Sequence, residues 1–439
     1  MRIVSIRKAF LLFCLVCFLL IPLESQDFPM NIISVENSQM TKKKLREMHL
    51  DILMEWNDKI FIHASIGDLQ RLQEENILYD FETQDLHLST SSTANLNGSV
   101  NGAYHSYAEL ERDLISLQES YPELAKLRDI GDSLEKRNIY ALKISDNVQA
   151  EESSEADILF LGCHHAREWI SLEIPLMLGK YLVEHYNRNP RIKELVDQAE
   201  IWIVPLVNPD GLEYSIHFYR YWRKNRRNNN DGSFGVDPNR NYGFKWGVDN
   251  EGSSNDPSSD IYRGVSPFSE PENQAVRALF RNNQFQVLAS YHSYSQVILF
   301  PWGYTYEPSE KHELLYEMAE TMSSLMETVS GRFYGFEQAG ADFYLTNGDT
   351  TDWSFGTYRI PSFTVELPPV DQIHGGFFNV EEEIQVIFDE NLPAMLYLIE
   401  WAVEQKRQGN IPREQNSLRK SFRNDRHNSH THITQEKGK

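Results

Sequence analysis

From Tyr104 to about Ala402 the chain alternates strand-like apolar runs with helical patterns, and this alternation restricts the fold more than any other feature. The strand-like runs are "NIYALKI", "ADILFLGC", "IWIVPLV", "QVLASYHSYSQVILF" and "PSFTVEL". Between and around them lie "SYAELERDLISLQESY", "PENQAVRALFRNNQ", "KHELLYEMAETMSSLMETV" and "VEEEIQVIFDENLPAMLYLIEWA", with apolar residues at helical spacing. Such alternation predicts a three-layer α/β domain over 104–402.

The flanking segments differ in kind. Residues 1–25 carry Arg2, Arg7 and Lys8, then an apolar run from Ala9 to Leu23, which reads as a secretory signal and predicts a secreted or periplasmic protein. That run is shorter than a bilayer span, so no stable membrane insertion is expected. Over 26–88, "KIFIHAS" and "LYDFETQDLHL" alternate like strands and "IGDLQRLQEENI" has helical leucine spacing, predicting a small α+β unit. Residues 89–103, rich in Ser, Thr, Asn and Gly, read as a linker. Residues 403–439 are polar, basic and without apolar periodicity, a disordered tail in which "HNSHTH" reads as solvated histidines. Once the signal is removed, Cys163 is the one cysteine left, so no internal disulfide forms, and the lack of bridges leans toward a bacterial source. With 42 Lys+Arg against 64 Asp+Glu, the chain repels phosphate backbones, and no nucleic-acid partner is expected.

The stretch "LGCHHAREW" places two histidines and a glutamate in the turn between a buried strand and a helix expected to begin near Glu168. Ligands collect at the carboxyl ends of strands in α/β sheets. An H-x-x-E pair offers an imidazole nitrogen and a carboxylate oxygen to one ion, and such sets suit zinc. Alone the pair is weak, because a catalytic zinc needs a third protein ligand and an open position for water.

His292 in "YHSYSQ" offers that third ligand, and from here the motifs resemble a known family. "HHAREW", "NPDG", "WRKNRR", "VDPNRNY", "YHSYSQ" with "LFPWGYT", and "TDWSFG" followed by "FTVEL" are similar to the ordered signatures of the zinc metallocarboxypeptidases of the pancreatic carboxypeptidase A type. "NRNYGFKWG", "YRGVSPFSEPE" and "DFYLTNGDTTDW" look closest to the secreted bacterial branch, as in carboxypeptidase T. The resemblance covers essentially all of 104–402 and implies an α/β/α domain with a mixed central sheet, preceded by a propeptide.

The resemblance also implies roles. One zinc ion per chain would be held by His165, Glu168 and His292, with His164 a neighbour that packs or hydrogen-bonds. Asp237 would orient a zinc histidine. Glu366 would be the general base and Arg223 would stabilise the charge developing on the attacked carbonyl. Asn239, Arg240 and Tyr344 would clamp the free C-terminal carboxylate of a peptide or protein, which a planar guanidinium suits. Arg167 would help hold substrate near its terminal residue, Tyr294 would contact substrate further upstream, and Thr351 would floor the side-chain pocket beside Ala339, Thr346 and Thr364, with Asp349 as an acidic rim. Neutral, mainly apolar C-terminal residues are the expected substrates. Other readings are a zinc amidase or peptidoglycan-trimming peptidase on the same fold, and a non-catalytic peptide-binding homologue. The loop "DNEGSSNDPSSD", residues 249–260, could offer oxygen ligands to calcium, though a polar loop is the simpler reading.

Overall fold

The computed structural model describes residues 31–48, 50–56, 59–64, 66–81, 101–371 and 375–409. The expected signal, the linker apart from its last residues, and the basic tail beyond 409 lie outside the described residues.

The first unit holds β1 (Asn31–Glu36), α1 (Gln39–Glu47), β2 (Asp51–Trp56), β3 (Lys59–Ala64), α2 (Ile66–Glu74) and β4 (Tyr79–Phe81). Its antiparallel sheet has the order β2-β3-β1-β4. Ile33, Val35, Ile60 and Ile62 alternate inward from the strands to meet Leu45 and Leu72 of the helices. The sequence indicated β3, α2 and the start of β4, whereas β1, α1 and β2 are additional to that reading.

The larger domain runs through α3 (Tyr107–Ser120), β5 (Ala125–Asp132), β6 (Asn138–Ile144), β7 (Ala156–Leu161), α4 (Ile170–His185), α5 (Pro190–Val196), β8 (Ala199–Val204), α6 (Pro209–His217) and α7 (Pro271–Asn282). It continues with β9 (Phe285–Ser293), β10 (Val297–Phe300), α8 (His312–Ser330), β11 (Gly335–Gln338), α9 (Thr350–Tyr358), β12 (Ser362–Leu367) and α10 (Glu383–Arg407). Its strands form one eight-stranded mixed sheet in the order β11-β10-β12-β9-β7-β8-β6-β5. The four central strands, β12, β9, β7 and β8, are parallel, so their carboxyl ends share one edge.

Every residue of β8 and β9 is buried, as expected of parallel strands covered on both faces. On one face, α3, α4, α8 and α10 pack leucines, isoleucines and methionines against Ile158, Phe160, Ile201 and Val287. On the other, α7 and α9 bring Val276, Leu279, Trp353 and Tyr358 against Leu159, Trp202 and Leu288. The three layers expected from the alternation are therefore present. Two local readings change. The single run "QVLASYHSYSQVILF" divides into β9 and β10, because the chain reverses through Gln296, whose φ is 55°. The last helix runs on past Ala402 to Arg407, where the guanidinium lies 3.6 Å from Glu194.

α3 opens with a capping box in which Ser106 and Glu109 satisfy each other's backbone donors. Glu272 at the start of α7 is fully buried, and burial pushes its carboxyl from 4.5 up to about 8. The folded state thus holds a proton that the unfolded chain releases above its ordinary value, and this contribution to stability is lost as pH rises from about 4.5 to about 8. Glu272→Gln should therefore lose less Tm than the parent between about pH 5 and pH 8.5 in thermal unfolding. An equal loss in both proteins would show that Glu272 is ionised when folded.

Candidate active site

The turn after β7 is built to carry side chains. Gly162 passes so close to its surroundings that a Cβ there would sit 2.3 Å from Ser171 O and 2.7 Å from Pro205 O. Ser171 Oγ donates to Glu168 O and accepts from Cys163 N, closing the turn on the first residues of α4. Asn208 Nδ2 donates to His164 O and to Lys224 O, so the "NPDG" motif binds this turn to the "WRKNRR" segment. Glu168 lies in the turn, two residues before the helix.

Three side chains converge there. Glu168 Oε1 lies 2.7 Å from His165 Nδ1, and its Oε2 lies 3.0 Å from Nδ1 of His292, which sits near the end of β9. The two ring nitrogens are 3.1 Å apart, and all three side chains are buried. Tetrahedral zinc with metal–nitrogen bonds near 2.0–2.1 Å sets ligand atoms about 3.3 Å apart. The two histidines and the carboxylate therefore fit a zinc ion in chemistry and in spacing.

Asp237 lies behind them with no exposure. Its Oδ1 is 3.2 Å from His165 Nε2, off the axis of a linear hydrogen bond, and accepts from Asn239 N at 2.8 Å. Its Oδ2 accepts from Arg223 Nε and Nη2 at 3.1 and 2.9 Å. Burial alone would raise this carboxyl, but the Arg223 and His165 charges outweigh it and hold Asp237 well below the usual carboxylate range.

A cavity of about 460 Å³, counting its open mouth, is lined by His165, Asn239, Arg240, Tyr344, Thr351 and Glu366, among others. Glu366 extends from the end of β12, in register with His292 on β9. The zinc carboxypeptidase family profile matches residues 110–394. The chain belongs to the zinc carboxypeptidase family. It is 37% identical over 272 residues to a zinc carboxypeptidase of Saccharothrix mutabilis subsp. capreolus, covering 61% of this chain and 62% of that one. To carboxypeptidase B of Rattus norvegicus it is 30% identical over 349 residues, covering 77% and 82%. The crystal structure of thrombin-activatable fibrinolysis inhibitor superposes with a TM-score of 0.71 at 26% identity, covering 85% of this chain and 99% of that one.

Within this family frame the remaining candidates separate into two groups. Asn239 Oδ1 accepts from the backbone N and the hydroxyl of Thr350, which leaves its NH2 group as the free side of the amide. Arg240 donates from Nε to Gly252 O and from Nη1 to Asn239 O, neutral acceptors that satisfy geometry without matching its charge. Tyr344 is 49% exposed, yet desolvation raises its phenol, and the charges of Arg240, Glu366 and Arg223 act on it. Arg167 and Tyr294 lie off the cavity lining: Arg167 stacks over Phe377 at 4.2 Å, and Tyr294 meets the same ring edge-on at 4.9 Å. Arg220 extends this wall between Trp169 and Phe378 and donates to Arg167 O.

Sequence reading missed Asp352, which lines the cavity beside Thr351 and accepts from Gly303 N and Tyr304 N. Burial, reinforced by the charge of Asp349, raises its carboxyl well above the usual range. Both oxygens of Asp349 are engaged, one by Asp352 N and the other by the Thr346 hydroxyl, so it caps α9. The calcium reading of 249–260 finds no support: Lys224 Nζ donates to the carbonyls of Pro257 and Ser259, filling with an ammonium the oxygens that a cation would use, and Asp249 Oδ1 accepts from Glu251 N, Gly252 N and Asn347 Nδ2.

A ligand that binds only the folded state raises its stability. Zinc at about 100 times its Kd should stabilise the metal-stripped protein by about 2.7 kcal/mol, and His292→Ala should abolish most of the Tm shift. A shift of the same size in His292→Ala would place the ion elsewhere.

Proposed function

We propose that the chain is a secreted zinc metallocarboxypeptidase that removes neutral, mainly apolar residues from the C-termini of peptides and proteins. Arg240 carries this reading. A buried guanidinium bonded to two carbonyls, at the cavity and beside the free amide face of Asn239, suits a terminal carboxylate, which would add bidentate hydrogen bonds and matching charge. An internal peptide segment or an amide terminus offers neither.

Zinc held by His165, Glu168 and His292 would supply Lewis acidity and a more acidic water. The other steps fall to side chains of this protein. Burial, with the Glu168 charge adding to it, raises the Glu366 carboxyl well above its ordinary value, while Arg223 and Arg240 oppose the rise. Such a group can take a proton from water and return it to the departing amine. Arg223 is fixed by Asp237 through Nε and Nη2, so its charge is preorganised for the carbonyl oxygen as that oxygen becomes negative. Tyr344 would close over the bound terminus from its exposed side.

The pocket floor supports a neutral preference. Thr351 and Thr364 bond to each other at 2.7 Å, Asp352 is pushed toward its protonated form, and the Asp349 oxygens are engaged. Leu299, Phe300, Phe343 and Ala339 supply apolar walls. Glu366→Gln should keep zinc and lose nearly all turnover, at least about a hundredfold. Arg240→Ala should cost far more on a peptide with a free C-terminus than on its amide. Zinc-loaded Glu366→Gln cutting at the parent rate, or equal Arg240→Ala losses on both substrates, would refute the reading.

The first unit fits a propeptide in this reading. It precedes the catalytic domain and has an apolar core of its own. No Lys or Arg occurs between Arg71 and Arg112. Arg71 is inside α2, bonded to Asp68 and to Met48 O, and Arg112 is inside α3, so neither offers an extended backbone to a protease. Maturation is therefore expected within Ser89–Asn101 by a protease that does not need a basic residue, unless the propeptide persists. N-terminal sequencing of the active form decides it: a start after Arg71 or Arg112 would sink the idea.

A further inference from the structure

We propose that His164 is a positioning residue that joins the metal ligand His292 to the clamp residue Asn239 through Ser290 and Thr350. The inference rests on the roles proposed above for His292 and Asn239. His164 is wholly buried and stacks on His292, with ring centroids 5.5 Å apart and planes 14° from parallel. Ser290 is two residues before His292 on β9, hence on the same face, and its Oγ lies 3.1 Å from His292 Nε2 and 3.3 Å from His164 Nδ1. His164 Nε2 lies 2.8 Å from the Tyr242 phenol and 3.1 Å from Thr350 Oγ1. Thr350 Oγ1 in turn lies 2.8 Å from Asn239 Oδ1.

Metal ligation gives this chain a direction. With the ion on Nδ1, the neutral His292 ring carries its hydrogen on Nε2 and donates to Ser290. The serine hydrogen then goes to His164 Nδ1, which places the His164 hydrogen on Nε2, facing Tyr242 and Thr350. Thr350 accepts there and gives its own hydrogen to Asn239 Oδ1. The amide of Asn239 is thereby held with its NH2 group toward the cavity. Without the ion, His292 Nδ1 can donate to Glu168 Oε2, 3.0 Å away, and every later bond can reverse. Thr350 then turns its hydrogen to His164, and Asn239 keeps only the bond from Thr350 N. Zinc and the substrate carboxylate are coupled through these side chains, and the coupling is reciprocal.

Two equilibrium measurements on the intact chain test the link: zinc Kd by chelator competition, and the Kd of 3-phenylpropionate, a carboxylate with an apolar tail. Ser290→Ala should weaken zinc about tenfold, and Thr350→Val should leave zinc affinity within about twofold while weakening 3-phenylpropionate about threefold to tenfold. His164→Asn, whose amide reaches the Nδ1 position, should retain zinc affinity and lose carboxylate affinity. His164→Gln, which reaches the Nε2 position, should do the reverse. In an Asn239→Ala background, Thr350→Val should cost no further carboxylate affinity, since the partner is gone. Additive losses in that pair, or His164→Asn and His164→Gln behaving alike in both measurements, would overturn the link. A parent that binds no zinc at its three ligands, or an Asn239→Ala variant with unchanged affinity for 3-phenylpropionate, would instead overturn the site reading beneath it.

Discussion

The carboxylate of Asp237 holds the site together. It is fully buried, yet it stays ionised because a guanidinium and a histidine converge on it and a backbone N–H adds a further bond. A buried charge with an incomplete set of partners would be strongly destabilising, so this carboxylate enforces the positions of Arg223, His165 and Asn239 together. Loops that are far apart in sequence are fixed relative to one another by one acid. The turn after β7, the basic segment after α6 and the short turn at Pro238–Arg240 all meet there. The proposed zinc ligands, cationic group and carboxylate clamp can therefore share one geometry without each needing its own scaffold.

The sheet supplies the other half of the arrangement. Parallel strands β7, β9 and β12 bring the His164–Glu168 turn, His292 and Glu366 to one edge, because their carboxyl ends lie together. Side chains on strands are held more rigidly than side chains on loops, so the candidate metal ligand His292 and the base candidate Glu366 gain their spacing from the ladder itself. Of the groups carried outside the strands, Arg240 is buried at the cavity wall and Tyr344 lies half exposed at its mouth.

Much of this was legible in the sequence, for identifiable reasons. Layers follow from apolar periodicity, and the residues brought together at the zinc cluster and the cavity were marked by spacing and by resemblance to the family. What escaped falls into two kinds. β5, "AKLRDIGD", is a strand with charged residues at an edge of its sheet, half open to solvent. Periodicity cannot reveal a strand that buries so little. The second kind is the side-chain network. Ser290 is two residues before His292 on a predicted strand, so their shared face was available from alternation, but its link through His164 to Thr350 depends on β9, the turn after β7 and the start of α9 packing together. Lys224 is the clearest case: its place among the carbonyls of 257–259 could not be read from a cluster of basic residues that looks solvent-facing.

Charge balance gives a reason why the proposed clamp would favour a chain end over any other part of a peptide. Arg223 already has a carboxylate at hydrogen-bond distance, and Lys224 lies among carbonyls with acidic residues around it. Arg240 differs, because its hydrogen bonds go to Gly252 O and Asn239 O, and its charge acts across the cavity on Glu366 and Tyr344. In a desolvated site such a charge is costly until it meets an anion, and the gain on meeting one is correspondingly large. A terminal carboxylate brings that anion at the distance where Asn239 presents its amide. In the proposed reading it would also bring the next peptide carbonyl toward Arg223, Glu366 and the proposed metal ligands. Binding free energy from the terminus would thus be converted into placement of the reacting bond, and a substrate lacking the carboxylate would lose both.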